Sequence, residues 1–297
     1  MKFNYNTKCY TFKKIIYTEG FLDYSLDATY IIHLKNNGRL QDIYEQLKIY
    51  QPTKIVYIVF NEGFKNCKKQ NYITDTAEDL VDVNIQIFKH AKNINYNNIL
   101  ILEDDFFFSE KIKSSFHQHN INTFIKSNDN NPLIYYLGCI PSLLLPYDYY
   151  NYKVISACVT HAVIYNAQIR EIILIKDQSN IKDWDAELYL YINNKYKYTY
   201  YIPLCYQLFT ETDNSKTWGK SIPLQSYFSS YNLIAMHIFN FLGMNKHAEP
   251  GYSIFYFCSK ITIYLLILII ILIFMKIYNL KYFKKYIKKY FKKYFKK

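Results

Sequence analysis

Three consecutive carboxylates, Glu103, Asp104 and Asp105, follow directly on the aliphatic run Ile99 to Leu102. Such a run marks a buried strand, so the acids emerge at its carboxyl end. In open α/β sheets that is where ligands bind. Neighbouring carboxylates confined there repel one another unless a cation lies among them. A hard divalent ion with oxygen ligands, Mn2+ or Mg2+, is the natural partner. Such an ion can also hold a diphosphate and neutralise it as it departs. The bland alternative is a solvated acidic turn, and attachment to the apolar strand argues against it.

The elements that must position these acids are legible on either side. Ala28 to Leu34 reads as a strand, Asn36-Asn37-Gly38 as a turn and Arg39 to Tyr50 as a helix. Lys54 to Phe60 is a second strand, apolar almost throughout, as expected for a sheet covered on both faces. Asp75 or Thr76 can cap a helix running to Lys92, with Leu80, Val83, Ile87 and Ala91 on one side. Asn98 to Leu102 is the third strand. Later strands are expected at Pro132–Leu137, Tyr152–Ala157, His161–Tyr165 and Lys197–Tyr201. Repeated alternation of strand and helix predicts an α/β fold with a mixed sheet and flanking helices.

Composition narrows the function classes. The chain has 297 residues, 51% of them hydrophobic and 20% charged, ordinary for a globular protein. Its 34 tyrosines accompany heavy use of Asn, Lys and Ile, residues with A/T-rich codons, and argue for no function by themselves. The net charge of +12 is misleading, because residues 276–297 hold ten lysines and no acid. The first 275 residues carry 26 basic against 24 acidic side chains, so no basic stripe marks the domain and no nucleic-acid partner is expected. Six cysteines lie far apart with no C-x-x-C, which disfavours a zinc site and predicts free thiols in a reducing compartment.

The C-terminus sets the chain apart. Ile261 to Met275 is uncharged and chiefly Ile and Leu, and with the preceding residues makes a short single membrane span or, less favoured, a buried helix. The tail that follows repeats pairs of aromatic or aliphatic residues with pairs of lysines, a pattern suited to an anionic membrane surface. The domains expected are therefore 1–250 for the catalytic unit, 251–278 for the hydrophobic segment and 279–297 for the basic tail. Topology stays open. The lysines favour a cytosolic tail, whereas an N-terminus without an apolar run favours a cytosolic domain, and one complete span cannot satisfy both.

Ile99-Leu-Ile-Leu-Glu-Asp-Asp-Phe-Phe-Phe-Ser109 resembles the strand-plus-acids motif of glycosyltransferase family 25, the lipopolysaccharide and collagen galactosyltransferase group. Other segments follow in the family's order. Tyr30 to Arg39 is similar to its opening strand and basic turn, and Thr160-His-Ala-Val-Ile-Tyr165 to its Thr-x-Ala-Tyr strand. Trp184-Asp-Ala-Glu-Leu188 is similar to its Asp-bearing segment, and Ile202-Pro-Leu-Cys-Tyr-Gln207 to its closing one. The match spans roughly residues 28–215, and aromatic spellings such as Tyr136 to Pro141 resemble members from large DNA viruses. The helix Asp79-Leu-Val-Asp-Val-Asn-Ile85 lacks the Ser-His pair that often opens it in the family.

The resemblance implies a GT-A-like domain of Rossmann type that uses a nucleotide sugar, a UDP-sugar in the first instance, and inverts the anomeric centre. It implies that Glu103, Asp104 and Asp105 bind Mn2+ or Mg2+, with Asp104 also available to the donor ribose. His33, Lys35 and Arg39 would face the donor, the two cations offsetting phosphate charge. Inversion needs a base facing the acceptor hydroxyl. Asp185 is the choice, with Asp183 and Glu187 behind it; alternatively one of these caps the helix beginning there. Trp184 and Trp218 are candidates for stacking on sugar faces, against the commoner fate of large aromatics as core. His161 is expected to be a satisfied core histidine. The acceptor is left open among glycan, protein and lipid. Two rival functions stand beside this one: a metal-dependent phosphoryl or nucleotidyl transferase, and a catalytically silent, membrane-tethered binding module on the same fold.

Overall fold

The structure is a computed structural model that describes residues 8–209, 234, 236–246 and 249–294. Three parallel strands form its centre: β2 (Ala28–Leu34) lies between β3 (Ile55–Asn61) and β4 (Asn98–Glu103). Side chains alternate across them as the period of two demands. Ile99 and Ile101 enter a core with Val83, Ile87 and Phe88 of α2 (Thr76–Asn93). Leu100 and Leu102 enter a second core with Ile43 and Leu47 of α1 (Leu40–Ile49) and Ile121 of α3 (Ser115–Ser127). Both faces are covered, which is why these strands read as unbroken apolar runs. Asp75 caps α2, accepting the Glu78 N–H.

Antiparallel strands complete the sheet. β1 (Tyr10–Ile16) pairs with β3 at one edge. On the other side β7 (Asn151–Asn166) pairs with β4 and with β6 (Ile134–Pro146), and β8 (Lys197–Tyr200) closes the order β1-β3-β2-β4-β7-β6-β8. A two-stranded ribbon joins β5 (Phe106–Phe108) to β9 (Cys205–Gln207), and α4 (Ala167–Leu174) follows β7. The fold is the mixed α/β sheet with flanking helices that the sequence predicts. The two strands expected at Tyr152–Ala157 and His161–Tyr165 are one long strand, with Val159 at a φ of 74° between them.

Trp184 is core: its indole N–H donates to the Tyr165 hydroxyl at 3.0 Å and its ring packs on Phe88. Trp218 lies outside the described residues. His161 is buried as expected, its Nε2 3.1 Å from the Cys205 carbonyl oxygen, and burial pushes it down to about 4.

One expectation is corrected. Cys9 and Cys67 are joined by a disulfide, with Cα atoms 5.6 Å apart; the other four cysteines are free. Fifty-eight residues separate the pair in sequence. They meet because β1 runs back along β3, which sets Cys9 beside the loop leaving that strand; Glu62 N–H donates to the Cys9 carbonyl at 3.1 Å. The same loop is pinned by buried Lys69, whose ammonium bonds Asp79 and, at 2.7 Å, the Asn61 amide oxygen.

The last helix, α6 (Glu249–Tyr294), runs without interruption across both expected boundaries, 250/251 and 278/279. Its first three turns belong to the domain. Tyr252, Tyr256 and Ser259 are buried, and the Tyr256 hydroxyl lies 2.7 Å from Thr199 Oγ1. From Tyr264 to Tyr278 the apolar side chains are exposed, and Ile263 just before them is half-buried. Gly251–Tyr278 is long and apolar enough to cross a bilayer.

Gly138 of β6 is where the ribbon crosses the sheet. A Cβ there would lie 1.8 Å from the Cys205 carbonyl oxygen and 3.0 Å from His161 Nε2. Gly138→Ala must push β9 away and is expected to cost about 3 kcal/mol, the upper range for overpacking. Denaturant titration of the full chain in detergent checks it. A loss under about 0.5 kcal/mol would show that β9 yields freely.

Candidate carboxylate site

The acids leave the sheet where the sequence puts them. Glu103 is the last residue of β4, beside Ile32 of β2, and Asp104 and Asp105 form the turn into β5. Their fates differ. Asp104 turns toward the end of β2 and the loop after it. It accepts the Leu34 N–H at 3.2 Å, the Asn37 amide, and Arg39 Nη1 at 2.9 Å, with His33 Nδ1 3.4 Å away. Burial works against its charge, but His33 beside it and the bonds from Arg39 and Asn37 hold the carboxyl below the usual range.

Asp105 shares Arg39, at 3.0 Å, and accepts from the Gln207 amide at 2.9 Å through the same oxygen, Oδ2. Its Oδ1 is buried without a hydrogen-bond partner among the described residues. Burial pushes this carboxyl up to about 6; Arg39 opposes the shift and Asp104 adds to it. Glu103, half-buried, accepts a hydrogen bond from Thr160 Oγ1 at 3.4 Å. Burial raises it well above the carboxylate range, and Asp105, Asp185 and Asp104 raise it further.

Asp185 comes from far along the chain and reaches the same cluster. Its Oδ2 accepts the Val159 N–H at 3.2 Å, Thr160 adds a side-chain hydrogen bond, and Oδ1 is buried without a partner. Burial, then Asp183, pushes it up to about 6. Val159 is a β-branched residue in the left-handed region, costing on the order of 1–3 kcal/mol. That backbone turn aims its N–H at Asp185, so local strain accompanies the placement of the acid.

The other expected residues are elsewhere engaged. Asp183 caps the short helix α5 (Trp184–Ala186), accepting the Ala186 N–H at 2.8 Å. Glu187 is buried in an ion pair with Lys176. Lys35 pairs with Glu62 at 2.8 Å and makes no described contact with the acids. Asn37, Gln207 and Thr160 serve the site although no role is evident for them in sequence. All three stand in segments quoted above for the family resemblance, which was the available signal.

The centre therefore holds Glu103, Asp105 and Asp185 with Arg39 as the cation bonded to it among the described residues. Among those residues no three His, Cys, Asp or Glu side chains form a ready-made ligand group. The donor set nonetheless fits a hard divalent cation. Such ions are commonly held by one or two carboxylates together with substrate phosphates, and the unpartnered Oδ1 of Asp105 and the nearly bare Glu103 are the oxygens such an ion requires.

No family model matches this chain, and no curated protein matches it. Among solved structures it is similar to one described as a glycosyltransferase involved in the glycosylation of the major capsid of PBCV-1. The identity is 13%, the alignment covers 62% of this chain and 94% of that one, and the TM-score is 0.38.

Proposed function

We propose that the chain is a membrane-associated glycosyltransferase, moving a sugar from a nucleotide-sugar donor to an acceptor hydroxyl with inversion. The observation that carries the reading is the half-buried trio of Glu103 and Asp105, at the carboxyl end of β4, and Asp185, which reaches them from α5; their carboxyls raise one another's proton affinity, and Asp105 and Asp185 each keep an unpartnered Oδ1 among the described residues. Glu103 and Asp105 would hold a divalent ion, Mn2+ or Mg2+, which when bound neutralises the donor diphosphate. Arg39, fixed by two carboxylates, presents its guanidinium at the edge of the same cluster. Asp104, saturated by N–H donors, holds the loop that carries Arg39 against the sheet. Asp185, oriented by Val159 and Thr160, accepts the proton of the acceptor hydroxyl.

The membrane part of the reading rests on α6. Ile261 to Met275 gives about 22 Å of uncharged, mostly exposed helix, a short span for a bilayer's hydrocarbon core of roughly 30 Å, with Lys276 able to reach toward the headgroups at its end. A disulfide persists in an oxidising compartment, and a lysine-rich flank stays cytosolic. Together these favour the domain on the non-cytosolic face and the tail in the cytosol, against the cytosolic domain that the N-terminus suggests.

The test is turnover of a panel of UDP- and GDP-sugars by the full chain in nanodiscs with Mn2+. Hydrolysis or transfer from one donor, abolished by chelation and restored by added Mn2+, is expected. Absence of both turnover and calorimetric binding across the whole donor panel would overturn the reading.

A further inference from the structure

We propose that an aromatic rim made of Phe116, Tyr147, Tyr149, Tyr150 and Tyr201 rests in the headgroup layer of the bilayer that α6 enters. The inference rests on α6 being the anchor and is independent of glycosyl transfer. It starts at Lys260, the last residue before the apolar run. The Lys260 ammonium donates to the Tyr201 carbonyl and lies 4.8 Å from the Tyr152 ring and 5.7 Å from that of Tyr201. The helix thus leaves the domain against a patch of tyrosines.

That patch continues outward along the surface. The Tyr201 ring is 6.0 Å from Tyr150, which lies 6.4 Å from Tyr149 and 5.3 Å from Phe116. Tyr149 and Tyr147 occupy the turn between β6 and β7; Tyr149 is 94% exposed, Tyr147 51% and Phe116 48%. Solvent is a poor environment for so much ring surface in one place. Rings with one wet end and one apolar end collect at the membrane interface. The acid of this turn, Asp148, is bonded by the N–H groups of Tyr150 and Asn151 at 2.8 and 2.7 Å. Continuity with the span selects the bilayer as the occupant over a second copy of the chain.

Seating the rim also fixes the height of the carboxylates. Tyr252 stands within electrostatic reach of Asp105 and packs edge-on against His161. It precedes Lys260 by two turns, about 12 Å of helix. Substrate would meet the acids close above the headgroups.

The experiment reconstitutes the full chain in phosphatidylcholine/phosphatidylglycerol nanodiscs with and without lipids brominated near the headgroup. Tyr149→Trp reports on the rim. Ile16→Trp is the control; it lies on β1, the opposite edge of the sheet, and is 64% exposed. Against the native tryptophan background, brominated lipid is expected to quench Trp emission at 149 at least twofold and to leave that at 16 unchanged. Tyr147→Trp repeats the measurement should the first variant not fold. Equal quenching at both positions, with the chain still isolated on the discs, overturns the proposal. So does shielding of position 149 from aqueous iodide without lipid quenching and with cross-linked dimers, which would assign the rim to a second copy. A chain that fails to isolate with the discs removes the anchor itself, whatever donor turnover shows.

Discussion

Asp105→Asn is expected to lower donor turnover by at least a thousandfold while leaving the protein as stable as before or more so. The two halves of that result come from one geometry. Asp105 places Oδ2 on Arg39 and Gln207 and leaves Oδ1 buried and bare. An asparagine keeps the shape and can still accept from Gln207 through its amide oxygen. It removes one of the negative charges crowded against Glu103 and Asp185. A buried charge short of partners is costly, so its removal relieves the fold by about 1–2 kcal/mol. Transition-state charge stabilisation commonly accounts for 10²–10³ per contact, and here both cation retention and donor placement depend on the same oxygen. Turnover is measured with Mn2+ at saturating donor, and stability by denaturant titration. Loss of activity with an equal loss of stability would mean that Asp105 is structural. Unchanged turnover would remove the cation from this acid.

The sheet and the first group of acids were legible because both depend on local pattern. An apolar run of four ending in carboxylates reads as a buried strand with its acids at the rim, and β2, β3 and β4 follow the expected spans within a residue or so. What stayed hidden depends on contacts across the chain. Cys9 and Cys67 read as unrelated thiols because nothing local announces that β1, with exposed Lys13 and Lys14, is an edge strand. Lys35 and Arg39 looked equivalent, both basic residues of one turn. Tertiary placement separates them, giving one to Glu62 and the other to Asp104 and Asp105. The left-handed Val159 has no signature either, since valine is the residue least expected there. The boundary at 250/251 follows composition, but burial of Tyr252 and Tyr256 does not, because an aromatic residue suits a core and a membrane equally well.

Those hidden contacts distinguish the three acids proposed for the base, and so set the second large effect. Sequence alone ranks Asp185, Asp183 and Glu187 only by position. The structure occupies Asp183 with the Ala186 N–H and Glu187 with Lys176, leaving Asp185 beside Glu103 with an unpartnered oxygen. Asp185→Asn is expected to reduce the transfer rate by 10²–10⁴-fold, the range for loss of a general base. Donor KM should stay within about threefold, because the Asp105 and Arg39 contacts are untouched. Asp183→Asn makes the control: it keeps a capping side chain, so stability should change by under about 1 kcal/mol and turnover hardly at all. Glu187→Gln should behave differently again, leaving Lys176 without its partner and lowering stability by a few kcal/mol with little direct effect on chemistry. Steady-state kinetics on the three variants, with stability measured alongside, separates the roles. If turnover survives Asp185→Asn and fails in Asp183→Asn without unfolding, the base is misassigned. The strain at Val159 would then need another explanation.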